Sequence, residues 1–239
     1  MSNYFDGGKE FDEWLVRRWA RFTSSTNYKA IGTAGSFDTY VEEKAIELCT
    51  NLWERPELEF VSSLLWGKVY EQPAAERYMK ESKNYSMSYI GREQPMFYID
   101  KTMPDDCGGS PDMANILDGG TIDYLCEIKC PKNPAYHFKR LAWTSQFDIK
   151  EKYIQCYTQM QDLIRVTGAF GCDFVSFDER QIAKSKQIKI IEVKPDRKFI
   201  DNLEIKLHTA VREKYKLISK HMGAEIKSKA EWMGYLNAA

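Results

Sequence analysis

The sequence lacks several features that would assign it to a common class of protein. No apolar run approaches the roughly 18 residues needed to span a membrane. The opening segment, MSNYFDGGKEFDEW, is polar and acidic, unlike a signal peptide. The six cysteines include no C-x-x-C pair, which argues against an iron–sulfur cluster. We therefore expect a cytoplasmic protein whose cysteines are reduced thiols.

The chain also lacks a Pro/Gly/Ser-rich linker, an internal repeat and a low-complexity tract. At 239 residues, with 43% hydrophobic content, it is long enough to bury a substantial core, and we expect a single domain over residues 1–239. The net charge of −1 argues against a protein that coats DNA. It still permits an enzyme whose basic residues line one channel while acidic residues face outward.

Hydrophobic spacing predicts an α/β (α+β) fold in which helices flank a central mixed β-sheet. Three- and four-residue spacings predict helices at 9–22, 38–50, 57–82, 149–166 and 196–236. Apolar runs with turn residues at their ends predict strands at 84–90, 95–100, 107–113, 122–129, 172–177 and 187–193. Pro73 is expected to kink or split the third helix.

Two short motifs carry the chemistry of the chain. Ser110-Pro111-Asp112 is followed by the apolar strand that contains Glu127-Ile128-Lys129, and Gly119-Gly120 marks a turn between them. A hairpin at this turn would bring Asp112 and Glu127 side by side. Because side chains alternate along a strand, Glu127 and Lys129 would share one face while Ile128 points into the core.

Two adjacent carboxylates repel each other until a cation lies between them. Mg²⁺ prefers one or two carboxylates together with water and phosphate oxygens. Such an ion orients a phosphate and stabilises the charge that develops during its hydrolysis. A lysine on the same face adds a positive charge near the phosphate. The pattern therefore predicts metal-dependent phosphodiester cleavage that requires both Asp112 and Glu127.

The same residues have ordinary alternatives, because Asp after Pro is common in turns and Glu-x-Lys is common on solvated strand faces. The chain contains a second Glu-x-Lys, Glu192-Val193-Lys194, after another apolar run. No Ser-Pro-Asp turn precedes it, so we interpret it as structural. Asp173 and Asp178 are interpreted as strand-end and turn residues.

Four segments in order resemble the YqaJ-like viral recombinase nucleases, the phage lambda exonuclease family of the PD-(D/E)XK superfamily. The first is the SPD…EIKCP block described above. The others are WLVRRWARFTSS at residues 14–25, LWGKVYE at residues 65–71, and the Gln159-Met160-Gln161 helix with Val166-Thr167-Gly168 downstream. Their order over residues 14–168 is far more specific than any one motif. The resemblance implies a restriction-endonuclease-like core.

The resemblance also implies roles for particular residues. Asp112 and Glu127 would be metal ligands, with the Ile128 carbonyl completing the site, and Lys129 would be the catalytic lysine. Glu71 matches the helix carboxylate that supports the metal site, and Gln159 matches the glutamine that helps position the nucleophile and the DNA end.

Three further residues match those that hold the 5′ phosphate of a DNA end, namely Arg18, Ser25 and Ser110. Arg17 and Arg21 lie close to Arg18 in sequence, so the register at this arginine stays open. Ser24 stands where the family usually has Ala, and Met113 stands where it usually has Gly.

By resemblance, the protein would be a Mg²⁺-dependent exonuclease, with Mn²⁺ as a possible substitute. It would digest the 5′-terminated strand of double-stranded DNA ends and leave a 3′ single strand for recombination. Family members form homotrimeric rings and work with a single-strand annealing protein. An endonuclease or nickase on the same scaffold, or a DNA-end binding module without catalysis, are the alternatives.

Residues 132–148 mix aromatic and basic side chains and read as an irregular loop. Aromatic stacking with phosphate neutralisation is a common way of binding single strands. We therefore expect contact with DNA here through Lys139 and Arg140, although a surface loop whose aromatics pack inward is an equal alternative. His137 is interpreted as a histidine that ligates no metal.

Overall fold

A computed structural model describes residues 8–50, 62–82, 86–90 and 96–238. Its helices are α1 (Gly8–Arg18), α2 (Ala34–Cys49), α3 (Ser62–Ser82), α4 (Pro134–Arg140), α5 (Gln146–Lys152), α6 (Ile154–Thr167), α7 (Arg197–Met222) and α8 (Lys229–Ala238). Its strands are β1 (Phe22–Thr23), β2 (Met87–Tyr89), β3 (Tyr98–Ile99), β4 (Cys107–Gly109), β5 (Met113–Ile116), β6 (Ile122–Lys129), β7 (Cys172–Phe177) and β8 (Ile188–Val193).

The central sheet has the strand order β2-β5-β6-β7-β8. All neighbouring pairs are antiparallel except β6 and β7, which are parallel. A parallel pair needs a long crossover, and the chain between these two strands forms α4, α5 and α6. A smaller sheet has the order β1-β4-β3. The predicted fold, a mixed sheet flanked by helices, is confirmed.

Two helices cover the faces of the central sheet and bury its apolar side chains. On one face α6 contributes Met160 and Leu163 to a cluster that includes Leu125 and Phe174. On the other face α3 contributes a cluster that also contains Ile128. The two faces together fix β6 as a strand buried on both sides. Of the helices in the described ranges, none is both long enough and apolar enough to span a membrane.

The predicted strand 107–113 is wrong as one element, because it divides into β4 and β5 in different sheets. Pro111 has no N–H to donate to a ladder, so it stands between the two strands. Gly109 ends β4 where a Cβ would come 2.2 Å from Ser24 Oγ, which excludes a side chain there. The Ser110-Pro111-Asp112 turn therefore marks the passage from one sheet to the other.

Several helix predictions also need correction. The first helix ends at Arg18 and not at Phe22, because Ala20 has a left-handed φ of 55° and Phe22 begins β1. The predicted helix 149–166 consists of α5 and α6, which meet at Tyr153. The helical tail is divided at Gly223, whose φ of 66° ends α7.

Helix α3 continues past Pro73 as one element, so the expected split is absent from this described helix. Its predicted start at 57–61 lies outside the described residues, as do 84–85 and 95 of two predicted strands. Residues 132–148 are not a loop throughout, since they contain α4 and the start of α5. Asn133 caps α4, accepting a 3.0 Å hydrogen bond from the Ala135 N–H, and Pro134 fits its first turn.

Candidate active site

The hairpin of β5 and β6 brings Asp112 and Glu127 together. Met113 pairs with Cys126, so the residues that flank this pair, Asp112 and Glu127, lie next to each other on adjacent strands. The backbone N–H of Ile128 donates a 2.6 Å hydrogen bond to Asp112 Oδ2 and fixes that carboxylate. Glu127 is only 1% exposed. The predicted hairpin is therefore present, with both carboxylates at its open end.

Lys129 lies on the same face as Glu127, as the strand alternation predicts. Its Nζ contacts Glu127 Oε1 as an ion pair and donates a 3.3 Å hydrogen bond to Gln159 Oε1 on α6. Burial lowers the pKa of Lys129, but the Glu127 and Asp112 carboxylates outweigh it and hold this pKa well above the usual value. The lysine is therefore a fixed cation between the sheet and α6.

Glu71 approaches the same carboxylates from α3. Tyr89 on β2 donates a 3.1 Å hydrogen bond from its hydroxyl to Glu71 Oε1. Burial and the Asp112 charge raise the pKa of Glu71 to about 7. Lys68, one helical turn before Glu71, acts on this carboxylate electrostatically and opposes the rise of its pKa.

The carboxylates disfavour one another's ionised forms. Burial and the charge of Asp112 raise the pKa of Glu127 to about 8, and Glu71 contributes in the same direction. Burial also raises the pKa of Asp112. Like charges in a poorly solvated site shift pKa values in this direction, and a cation among them would reverse the shift.

The residues present fit a divalent cation that takes few protein ligands. Glu127 Oε2 is buried, and within the described residues it has no hydrogen-bond partner, so one carboxylate oxygen remains available. In those same residues no three His, Cys, Asp or Glu side chains are already grouped as a metal site. Mg²⁺ suits this arrangement because it keeps waters and binds substrate phosphates beside one or two carboxylates. Asp112 and Glu127 could hold it, with Glu71 close to both.

An open groove of about 1510 Å³ leads to these residues. It runs between α3, the end of β6 and α4, and Ile128 lines it although that residue also packs in the core. Its acidic members are Glu71 and Asp112, whereas its basic members are Lys68, Lys129, Lys132, Lys139, Arg140 and Lys152. The groove is therefore positively charged around an acidic centre, although the whole chain carries a net charge of −1.

A second group of polar residues lies at the Ser110 end of the same turn. Trp14 donates a 2.9 Å hydrogen bond from Nε1 to Ser110 Oγ, and Arg18 donates a 3.3 Å hydrogen bond to Ser25 Oγ. The Arg18 guanidinium also stacks 4.4 Å from the Trp14 ring centre. Helix α1 thus links the three predicted end-binding residues. Burial lowers the pKa of Arg18 to about 10, so it stays charged at neutral pH.

The structure separates Ser25 from its neighbour Ser24. Ser24 is 1% exposed and packs its Oγ on the Gly108 carbonyl at 3.4 Å, so it has a structural role. Ser25 is exposed and faces Arg18. Of the two serines, only Ser25 is placed to meet an incoming anion.

Comparison with known proteins places the chain in a family. The profile described as the YqaJ-like viral recombinase domain matches residues 13–169. The chain belongs to the YqaJ-like viral recombinase family. A search of curated proteins finds no match.

Solved structures show the same fold as this family member. An alkaline exonuclease from Laribacter hongkongensis, LHK-Exo, superposes with a TM-score of 0.71 and 24% identity, covering 88% of this chain and 95% of that chain. Its complex with dAMP gives 0.65 and 23%, with 87% and 94% coverage. A phage related exonuclease from Haemophilus somnus 129PT gives 0.61 and 14%, with 87% and 99% coverage.

Within the family motifs, the structure distinguishes Gln159 from Gln161. Gln161 is fully buried, donates from Nε2 to the Lys194 carbonyl at 2.9 Å and accepts from the Asp196 N–H at 2.8 Å. Two residues along a helix point to different sides, so only Gln159 reaches Lys129. Gln161 instead joins α6 to the segment after β8.

Sequence reasoning missed two residues near the site. Tyr89 lies in a short strand, and no motif marks its contact with Glu71. Arg180 donates hydrogen bonds to the carbonyls of Pro131 and Lys132, and its guanidinium lies 4.5 Å from the Trp66 ring centre. It thereby braces the chain where it leaves β6. No short motif marks this contact, because Trp66 and Arg180 are distant in sequence.

Of the two residues expected to contact DNA, Lys139 and Arg140, the second is largely buried. Arg140 is 7% exposed and its guanidinium packs 4.8 Å from the Tyr153 ring centre. Lys139, beside it, is exposed and lines the groove. A charge reversal at Arg140 would therefore disturb packing and would not report on DNA binding alone.

Proposed function

We propose that this protein is a Mg²⁺-dependent exonuclease that digests the 5′-terminated strand of linear double-stranded DNA in the 5′ to 3′ direction. Membership in the YqaJ-like viral recombinase family, together with a fold shared with exonucleases, supports a DNA exonuclease that acts in recombination. The observation that carries the proposal is the convergence of Asp112, Glu127 and Lys129, of which Asp112 and Lys129 line a basic groove.

In this proposal some residues would hold the cation and others would position a charge beside the phosphate. Asp112, fixed by the Ile128 N–H, and Glu127, with its free oxygen, would hold Mg²⁺, with the Ile128 carbonyl as a further ligand. When bound, this ion would supply Lewis-acid stabilisation of the charge that develops on the phosphate. Lys129 would place a second positive charge beside the phosphate, and Gln159 orients that lysine.

The cluster of Arg18, Ser25 and Ser110 supports action at DNA ends. Ser110 is separated from Asp112 by Pro111 alone, so an anion bound there would lie close to the carboxylates. A charged guanidinium with two hydroxyls is suited to a terminal phosphate. In this proposal the cluster holds the 5′ phosphate, and the polarity of digestion follows from that choice of end. The homotrimeric ring, a single-strand annealing partner and a cytoplasmic location remain predictions.

The test is digestion of a linear duplex labelled at one end, with and without a 5′ phosphate, in Mg²⁺ and in EDTA. We expect release of mononucleotides from the 5′-phosphorylated strand in Mg²⁺ and none in EDTA. Loss of label from the 3′ strand first would contradict the polarity. Equal activity in EDTA would contradict the metal.

Two controls separate the alternatives. Closed circular DNA has no ends, so efficient cutting of it would favour an endonuclease or nickase. Asp112→Ala should abolish hydrolysis but preserve the fold. Equal hydrolysis by this variant would remove the carboxylate assignment, and binding of ends without hydrolysis by the wild type would indicate an end-binding module.

A further inference from the structure

Helix α4 presents two aromatic rings to solvent inside the groove. Tyr136 is 56% exposed and Phe138 is 70% exposed, and both line the groove that leads to Asp112. Burial of such rings normally stabilises a fold, so two exposed rings within one helical segment need another explanation. A ring that faces solvent beside a reaction centre is available to pack on a ligand.

Another face of α4 is anchored, through the residue between the two rings and through Arg140, so the helix that carries the rings is held in place. His137 is fully buried, with Nδ1 2.9 Å from Ser176 Oγ and Nε2 2.8 Å from the Lys186 carbonyl oxygen. Arg140 is hydrogen-bonded to the same Ser176 hydroxyl at 3.4 Å. This polar anchor fastens α4 to β7, and its rigidity lowers the entropic cost of binding through the exposed side.

The charges around the two rings match a polyanion. Lys132, Lys139 and Lys152 line the same groove as the rings, and the acidic residues of the groove lie at its floor, where a phosphate would be hydrolysed. Alternating rings and cations are how proteins track a strand whose bases are unpaired. In a duplex the base faces are covered by their neighbours, so these rings suit a single strand.

We propose that Tyr136 and Phe138 stack on unpaired bases of a DNA strand whose phosphates lie along the neighbouring lysines. The strand would be held in this way as it enters or leaves the Asp112 and Glu127 site. The inference rests on the proposed function, because it takes DNA as the substrate of that site. The sequence analysis predicts contact with DNA in residues 132–148 through Lys139 and Arg140; the inference adds a base-stacking role for Tyr136 and Phe138.

Binding is measured first, in EDTA, so that no cleavage is needed. The probe is a short single-stranded oligonucleotide with 2-aminopurine at successive positions, whose fluorescence is quenched by stacking. We expect quenching at one or two positions in the wild type, and its loss in Phe138→Ala and in the double variant Tyr136→Ala with Phe138→Ala. Affinity should fall about tenfold for the single variant and further for the double variant. Phe138→Trp should retain both quenching and affinity.

Phe170→Ala is a matched control. Phe170 is 77% exposed, stands outside the groove lining, and hydrogen-bonds through its N–H to the Asp123 carbonyl near the start of β6, away from Lys129. It should leave quenching and affinity unchanged. An equal loss in this variant, or no loss in either alanine variant at position 138, would overturn the proposal.

Hydrolysis then distinguishes a failure of base stacking by these rings from a failure of the active site. Thymidine 5′-(p-nitrophenyl phosphate) is a phosphodiester with a single nucleoside, so it has no further bases to stack along the groove. The alanine variants should hydrolyse it at the wild-type rate, while their KM for the oligonucleotide rises about tenfold. If Lys132→Ala or Lys139→Ala weakens oligonucleotide binding and Phe138→Ala does not, the groove binds the phosphates of the strand without stacking on its bases. No change in any DNA readout would mean that the rings serve another occupant, such as a protein.

Discussion

The central sheet carries the pattern Glu-x-Lys twice, once on each side of β7, with opposite outcomes. In β6 the Glu127 side chain is 1% exposed and the Lys129 side chain 23% exposed. At the end of β8 the corresponding values are 58% for Glu192 and 70% for Lys194, and the pair is 3.7 Å apart. The prediction that the second copy is structural agrees with this solvated, loosely paired geometry.

The neighbours of each strand explain the difference. On its side away from β7, β6 pairs with β5, which brings Asp112 beside Glu127, and α3 adds Glu71 close to both. Strand β8 pairs only with β7 in the described sheet, where Glu192 lies opposite Asp173. Asp173 already accepts hydrogen bonds from two tyrosine hydroxyls. A second carboxylate that is not held by two tyrosine hydroxyls, delivered by an adjacent strand, therefore separates a candidate site from a surface pair.

The largest contrast should come from exchanging one carboxylate in each copy for an amide. Glu127→Gln should lower kcat for linear duplex digestion by about three orders of magnitude or more, because it weakens the proposed cation site. Glu192→Gln, of the same chemistry on an exposed side chain, should change it less than twofold. Steady-state digestion in Mg²⁺ measures both, and circular dichroism verifies folding. Similar rates for the two variants would contradict the assignment of Glu127 to the active site and of Glu192 to the surface.

The lysines provide a second contrast of smaller size. Lys129→Met should reduce kcat about a hundredfold, since it removes one positioned charge near the phosphate while keeping the length of the side chain. Lys194→Met should be neutral. A loss that appears only in KM would mean that Lys129 contributes to binding and not to the chemical step.

Much of this contrast could be anticipated from the sequence. The Ser-Pro-Asp turn, the Gly-Gly pair and the alternation along residues 122–129 fix the hairpin locally, so Asp112, Glu127 and Lys129 were placed correctly. These signals act over short distances along the chain. The strand at 172–177 also matched, because β-branched and aromatic residues there form one buried run.

What escaped prediction depends on contacts between distant segments. Tyr89 on β2 donates a hydrogen bond to Glu71 on α3, which is 18 residues earlier in the chain. Arg180 donates to the carbonyls of residues 131–132, which are 49 and 48 residues earlier. Residues 132–148 read as a loop because their aromatics and lysines show no apolar period. The helix there is fixed by an Asn133 cap and by burial of His137 and Arg140, which are polar. Hydrophobic patterning does not detect a helix with a polar buried side.

A third prediction concerns the cluster of Arg18, Ser25 and Ser110 at the Ser110 end of the Ser-Pro-Asp turn. Within the described sheet, no such turn precedes the Glu-x-Lys of β8. Arg18→Gln removes the guanidinium that faces Ser25. The ratio of digestion rates for 5′-phosphorylated and 5′-hydroxyl ends should fall about tenfold, the usual size of one charge-assisted hydrogen bond. The rate on 5′-hydroxyl ends should hardly change. Arg17→Gln, on the adjacent exposed position, is the control, and an equal effect there would assign the end contact to the wrong arginine.

The smallest expected effect concerns His137, which anchors α4 to β7 through Ser176. Strand β7 lies between the Glu-x-Lys patterns of β6 and β8. His137 packs between Ser176 and the Lys186 carbonyl, and burial lowers its pKa below the ordinary value of 6.5. The Lys186 hydrogen bond and Asp178 oppose this shift, while Arg140 and Arg180 reinforce it.

Because the folded state disfavours the protonated ring, the unfolded chain binds the proton more readily. The stability contributed by His137 is therefore present above pH 6.5 and is lost as the pH falls below it. We expect the melting temperature of the wild type in EDTA to fall between pH 7.5 and pH 5.5 more steeply than that of His137→Gln. His208→Gln, a histidine replacement at an exposed position, is the control variant. Parallel slopes for wild type and His137→Gln would mean that the anchor of α4 does not depend on the charge state of this ring.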